Sequence, residues 1–247
     1  MTMAANASPG ILGGTPVQKW ARTIAALCLL SLIAGAFGEA YVQMQLMVPN
    51  DAAATLHNLA SHDLLYRLGF AAYLVEGVCD VMLAVAFYVV LKPVHRNVAL
   101  MAALLGVVST AVYAVSEGFY MLPAMMLRSR AAFGALTDDQ LSAMVLMSLK
   151  TASYIGSLFV VFYGVATVLR GWLIVRSTFL PSWLGVLLIV AGAGFIANTY
   201  ALVLAPGRIS LLVFAVPMFV ALVAMIVWFG FRGVDVARWK EAAGERT

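Results

Sequence analysis

Long apolar stretches separated by short polar breaks run through the whole chain, and they reach the roughly 20 residues that an α-helix needs to cross about 30 Å of hydrocarbon. The alternating ten-residue segments of a membrane barrel are not found. The pattern therefore predicts an all-α, polytopic transmembrane helix bundle of six spans. Span one runs from Trp20 to about Val42, span two from Leu64 to Leu91, and span three from Val98 to Leu122. Span four runs from Leu141 to Val175, span five from Trp183 to Leu204, and span six from Ile209 to Phe231 with a possible kink at Pro217. At 1.5 Å per residue span four exceeds the hydrocarbon thickness and should tilt or protrude.

The breaks carry their own signals. Pro49, Asn50 and Asp51 end the first apolar run, and Asp51 is placed to N-cap a short interfacial helix, Ala52 to Ala60. Asp63 is the expected cap of span two, which Lys92-Pro93 terminates, and span three is expected to end at Pro123. Thr137 or Asp138 should cap span four after a polar connection from Arg128 to Gln140, and Pro206-Gly207 should turn the chain into span six. Lys19, Arg22, an apolar stretch and Ala34-Gly35-Ala36 together imitate a cleavable signal peptide. The apolar pattern continues past Ala36 through Tyr41 and Val42 towards Val48, so we expect a retained span. The expected organisation is a disordered tail at 1–18, a membrane domain at 19–231 and a basic tail at 232–247.

Charge orients the bundle. Lys19, Arg22, Lys92, Arg96, Arg170, Arg176, Arg232, Arg238 and Lys240 fall on one side, against Arg67, Arg128, Arg130 and Arg208 on the other. By the positive-inside rule the first side, with both termini, is cytoplasmic. Trp20, Trp172, Trp183, Trp228 and Trp239 cluster at that face, whereas Tyr41, Tyr66, Tyr120 and Tyr200 mark the opposite one. Of the 247 residues 64% are apolar and 11% charged, where a soluble domain carries about 25% charged residues. The net charge of +4 is scattered over helix ends rather than gathered in a patch, so lipid is the expected partner and nucleic acid is not.

The chemistry lies in the ionisable residues inside the spans, each costing about 2.5 to 3.5 kcal/mol at a helix centre. Glu39 and Arg67 fall near the outer interface, Glu76, Glu117 and Lys150 in the outer half, and Asp80 near the midplane. Glu76 and Asp80 share a helical face, where two carboxylates repel unless a proton or a cation intervenes, and Lys150 is the obvious cation. We therefore expect Lys150 to pair with Glu117 or Glu76. Tyr73, Tyr113, Ser116, Tyr120, Tyr154 and Asn198 lie at similar depths and can complete an outward-opening polar pocket.

Other chemistries fit poorly. Cys28 and Cys79 sit in apolar runs without metal or redox spacing and read as core. His57, His62 and His95 fall outside the spans, which removes axial haem ligands, and His57 with His62 lacks the spacing of a shared helical face. Lys150 is poorly placed for a retinal Schiff base. No Walker loop, HExxH or Gly-x-Ser-x-Gly elbow is found, so neither cofactor nor metal is expected.

Phe37-Gly38-Glu39, Val48-Pro49-Asn50-Asp51-Ala52-Ala53-Ala54-Thr55, Arg67-Leu68-Gly69-Phe70, Asp80 and Arg176-Ser177-Thr178-Phe179-Leu180-Pro181 together carry a resemblance. From about Ala21 to Leu204 the chain resembles the bacterial membrane-protein family called domain of unknown function 4386. The resemblance implies a bacterial inner membrane and no particular activity.

Three kinds of function fit these residues. The first is small-solute or proton-linked transport, or ligand binding, at a pocket of Glu76, Asp80, Glu117 and Lys150, with Glu39, Arg67 and Asn198 nearby. The second is a non-catalytic interaction protein whose charges lock the bundle. The third is an enzyme using a glutamate as base, for which no nucleophile or metal is evident. The topology itself is directly testable: reporter fusions at Asn97 and at the C-terminus should read cytoplasmic and one at Ala132 periplasmic, and a cytoplasmic signal at Ala132 would refute the span count.

Overall fold

In the computed structural model, residues 17–49, 51–129, 136–204 and 212–244 are described, and all their regular structure is helical. Helix α1 (Val17–Gly35) passes through a π-helical stretch (Ala36–Val42) into α2 (Gln43–Leu46) without a break. Next come α3 (Ala52–Ser61), α4 (Asp63–Leu91), α5 (Arg96–Arg128), α6 (Asp138–Arg176) and α7 (Ser182–Leu204). The last elements are α8 (Leu212–Val227), a second π-helical stretch (Trp228–Arg232) and α9 (Val236–Ala242). Five helices are long and apolar enough to cross a membrane, or six if Val216–Arg232 and Val236–Ala242, bent by 100°, count as one span. The tail at 1–16, Asn50, Arg130 and the Pro206–Gly207 turn with Arg208 and Ile209 lie outside the described residues.

Local chemistry explains most helix ends. The Asp51 carboxylate accepts from the Ala54 amide at 2.8 Å, and Thr137 forms a capping box with Gln140. Asp63 does not cap α4: it is the first helical residue, and its carboxylate pairs with Arg67 one turn on, at 3.0 Å. Helix α5 does not stop at Pro123 but runs on to Arg128. Proline lacks the N–H that would bond the carbonyl four residues back. That carbonyl, Phe119, instead accepts a 2.6 Å bond from the Ser148 hydroxyl on α6. A backbone group stranded in hydrocarbon is thus satisfied by a neighbouring helix.

Helices α5 and α6 are also joined by Ser109 to the Phe159 carbonyl (3.2 Å) and Ser116 to the Ala152 carbonyl (2.7 Å). Antiparallel α6 and α7 meet in layers seven residues apart: Ser157 with Thr199, Gly164 with Gly192, and Gly171 with Gly185. The Thr199 hydroxyl donates to the Ser157 carbonyl at 2.9 Å. A Cβ at Gly171 would lie 2.6 Å from the Gly185 carbonyl oxygen, and one at Gly192 equally close to the Gly164 carbonyl oxygen. Without a hydrophobic drive between helices in lipid, such close backbone approach supplies the packing energy.

The buried apolar residues form two clusters. One gathers Val17, Ile24, Phe87, Leu173, Leu184, Phe229 and Trp239 at the tryptophan-rich end. The other gathers Val42, Leu46, Leu59, Tyr66, Tyr73, Tyr113 and Tyr120 at the opposite end. At the first end the Trp239 indole donates to the Val90 carbonyl at 2.8 Å, and Gln18 bonds Arg232 and Val234 across Gly233. Gly233 has φ 73°, a left-handed turn that sends α9 back over the bundle, and a Cβ there would strike the Gln18 side chain. The other helix faces carry exposed Leu74, Val78, Val81, Met82 and Val85 on α4 alone, a surface suited to lipid.

The α6–α7 contact generates a sharp contrast. Gly171→Ala should lower thermal stability in detergent by at least about 1 to 3 kcal/mol, because a backbone oxygen blocks the new methyl group. Gly118→Ala, which meets nothing within 4 Å, should be neutral or gain up to about 1 kcal/mol from reduced chain entropy. Equal melting temperatures for the two variants would show that the close glycine contact does not hold the pair.

Candidate functional site

An elongated cavity of about 650 Å³ lies within the bundle, reaching the chain turn at Met47–Pro49 at one end and Cys28, Leu83 and Leu222 at the other. From Cys28 to Met47 it follows about 28 Å of helix axis. Along that helix Ser31, Glu39, Gln43 and Met47 line it, mostly four residues apart. In a regular α-helix such a stripe drifts by about 40° per step. The wider π-helical turns at Ala36–Val42 offset the drift and keep Glu39 and Gln43 on the cavity side.

The cavity wall holds Glu39, Glu76 and Asp80, Glu117 and Lys150, from the π-helical stretch, α4, α5 and α6 in turn. Five of the seven expected site residues are thus brought together. Gly35 leaves room for Glu76, whose carboxylate oxygens would lie 3.3 and 3.4 Å from a Cβ there. The Tyr113 hydroxyl donates to Glu76 Oε2 at 3.1 Å, and the Gln43 amide donates to the Tyr73 hydroxyl at 2.8 Å. Glu76 also lies within electrostatic reach of Glu39, Asp80 and Glu117. Glu117 is 7% exposed, and its Oε2 and the Tyr120 hydroxyl have no hydrogen-bond partner among the described residues.

Two expected members stand apart. Arg67 is held by Asp63 on its own helix and does not line the cavity. Asn198 does not line it either, and its Oδ1 is buried without a partner among the described residues. The Thr199–Ser157 bond sets the rotation of α7, which presents Phe195 to the cavity. Of the tyrosines, Tyr73, Tyr113 and Tyr120 reach the wall, while Tyr154 is turned away and 66% exposed.

The cations are arranged differently from expectation. Lys150 lines the cavity but remains exposed, and among the described residues no carboxylate lies within ion-pairing distance of it. The expected pairing of Lys150 with Glu76 or Glu117 is therefore not formed among the described residues. Arg170, assigned from the sequence to the cytoplasmic surface, is instead buried at 5% exposure. Its guanidinium lies 5.0 Å from the Phe87 ring centroid and 5.8 Å from that of Tyr163. Gly106 makes this possible, since a Cβ there would lie 2.6 Å from Arg170 Nη2. Asp80 feels the positive charge of Arg170, so the buried cation opposing the acids lies in the C-terminal half of α6. A signal was present: apolar Leu173-Ile174-Val175 continue the helix beyond Arg170.

Aromatic rings connect these groups. Tyr120, Tyr73, Tyr113, Phe159, Tyr163 and Phe195 form successive contacts with centroid separations of 5.2, 6.2, 4.9, 6.5 and 5.3 Å, and all six line the cavity. Phe159, Tyr163 and Phe195 were not anticipated, because one more aromatic residue in an apolar run carries no mark of what it faces. Among the described residues, no three His, Cys, Asp or Glu side chains are grouped closely enough to hold a metal ion.

Long apolar helices around an acid-lined interior define a multi-pass integral membrane protein. The chain belongs to the family described as Domain of unknown function (DUF4386), whose model matches residues 23–233. That match takes in all four cavity carboxylates, Lys150 and Arg170; it starts close to Ala21, where the resemblance starts, and continues beyond Leu204, where the resemblance ends. An uncharacterized protein of Archaeoglobus fulgidus is 26% identical over 121 residues, 49% of this chain and 59% of that protein. The chain thus matches less than two thirds of that relative's length. No solved structure matches the chain.

The two cations should separate in mutagenesis. Lys150→Met should change stability by less than about 0.5 kcal/mol, as at an unpaired exposed position. Arg170→Met should lower the melting temperature in detergent, and adding Asp80→Asn should recover part of the loss, with a coupling of about 0.5 to 3 kcal/mol. Strict additivity of the two changes would show that Asp80 and Arg170 do not act on each other.

Proposed function

We propose that this is a six-span protein of a bacterial inner membrane, with both termini cytoplasmic, that binds a small cationic solute or protons in its carboxylate-lined cavity. The role is that of a small transporter or ligand-binding membrane protein, with the cavity facing outward. The carrying observation is the convergence of Glu39, Glu76, Asp80 and Glu117 on one cavity, with an oxygen of buried Glu117 left unpartnered among the described residues. Each intramembrane charge is costly, and an unpaired buried acceptor forfeits its lost hydration. A proton or a bound cation would supply what the fold withholds. Positive-inside asymmetry supports an outward-facing Met47–Pro49 end of the cavity.

The alternative is an interaction protein in which the charges merely lock the bundle. Locking requires pairs, and neither Lys150 nor any of the four cavity carboxylates has an ion-pair partner among the described residues. This favours a binding role over a structural one. Enzymatic use of a glutamate as base has no further observation in its support.

Proteoliposomes carrying a pH-sensitive dye provide the test. Adding amines, quaternary ammonium ions or inorganic cations outside should change lumenal pH or produce a transport current in the wild type, and Glu76→Gln and Glu117→Gln should abolish it. The binding reading is lost if these folded variants match the wild type in every condition and neither protons nor cations bind.

A further inference from the structure

We propose that the cavity takes an organic ammonium ion, its charge among Glu39, Glu76 and Glu117 and its apolar body against the aromatic wall. The proposal rests on the cationic-solute reading and names the chemical class of the solute. Three observations converge on it.

First, the charge is unbalanced. Four carboxylates line the cavity against one ammonium, Lys150. Asp80 also has Arg170 near it. Among the described residues the glutamates have no counter-ion within ion-pairing distance, and buried Glu117 presents an unpartnered oxygen. Second, the acids are separated. No three potential ligands are grouped for a metal ion among the described residues, whereas a hard inorganic cation such as calcium or magnesium needs about six oxygens within roughly 2.6 Å. An alkylammonium ion spreads its charge over a larger surface and can use carboxylates that stand apart. Third, the wall between the acids is aromatic. Tyr73, Tyr113, Tyr120 and Phe159 form one connected set of rings on the cavity, and ring faces attract cations within about 6 Å.

The protein already uses the same attraction at the far end of this wall. Arg170 lies over Tyr163, which contacts Phe159. The cavity volume of about 650 Å³ falls in the usual range for small organic ligands, about 300 to 1,000 Å³. A proton alone leaves that volume and its aromatic lining without a role.

Benzyltrimethylammonium is a suitable probe, measured by calorimetry with the full chain in lipid nanodiscs. It should bind saturably, while benzyl alcohol, benzoate, sodium and potassium should not. Glu117→Gln should weaken binding by about tenfold or more, the loss of one Coulombic attraction to the fixed charge. Tyr113→Leu should weaken it by about fivefold, and Tyr113→Phe, which keeps the ring, by less. If Tyr113→Leu does not fold, Phe159→Leu tests the same wall. Equal binding of benzyl alcohol, or an affinity indifferent to Glu117→Gln, overturns the proposal. Absence of benzyltrimethylammonium binding alongside Glu117-dependent proton uptake or inorganic-cation binding overturns the ammonium assignment and leaves the pocket reading intact. If none of these ligands binds, both readings fall together.

Discussion

Hydrocarbon cannot solvate a charge or an unpaired backbone group, and most of this structure is arranged around that constraint. Ionisable side chains inside the spans must face one another, face enclosed water or lie beneath aromatic rings. Glu39, Glu76, Asp80 and Glu117 turn inward to a common cavity. Arg170 takes the third course, lying over Phe87 and Tyr163 in space that only Gly106 leaves free. The outer faces retain leucine, valine and methionine, residues that lipid accepts without cost. The cavity is therefore a consequence of where the acids can be tolerated as much as a space between helices.

The same constraint shapes the backbone. Pro123 interrupts the hydrogen-bond ladder of α5, and Ser148 repairs it from the next helix. Wider π-helical turns at Ala36–Val42 keep Glu39 in register with the cavity. Irregular backbone is sustained here where a neighbour or a polar interior satisfies it. Glycine and serine, rather than large apolar residues, set the closest helix contacts, because van der Waals approach and hydroxyl-to-carbonyl bonds remain effective when burial in lipid provides no gain. The closely packed α5–α6–α7 group that results carries Glu117, Lys150, Arg170 and most of the aromatic wall.

The two interior cations have different standing for a physical reason. Lysine carries a compact, strongly hydrated charge on a flexible stem, so Lys150 can line the cavity while remaining exposed. Arginine spreads its charge over a plane that stacks on rings, so Arg170 tolerates burial that a lysine would resist. Lys150 faces the cavity the glutamates share, while Arg170 acts on Asp80, leaving acids of unequal surroundings within a single cavity.

Apolar run length by itself determined that the chain is helical and membrane-embedded, since only a helix satisfies its backbone across hydrocarbon without outside help. Cap chemistry located the starts of α3 and α6, because Asp51 and Thr137 bond amides only three residues away. The convergence of Glu39, Glu76, Asp80, Glu117 and Lys150 was legible because each stands out against an apolar background at an overlapping depth. What faces what was not legible. Helix rotation depends on contacts between residues distant in sequence, so only the tertiary structure placed Arg170 inside, left Lys150 without an ion pair among the described residues and turned Asn198 and Tyr154 away from the cavity. Pro123 illustrates the same limit: a local rule ends the helix there, and a serine 25 residues later, brought alongside by folding, allows it to continue.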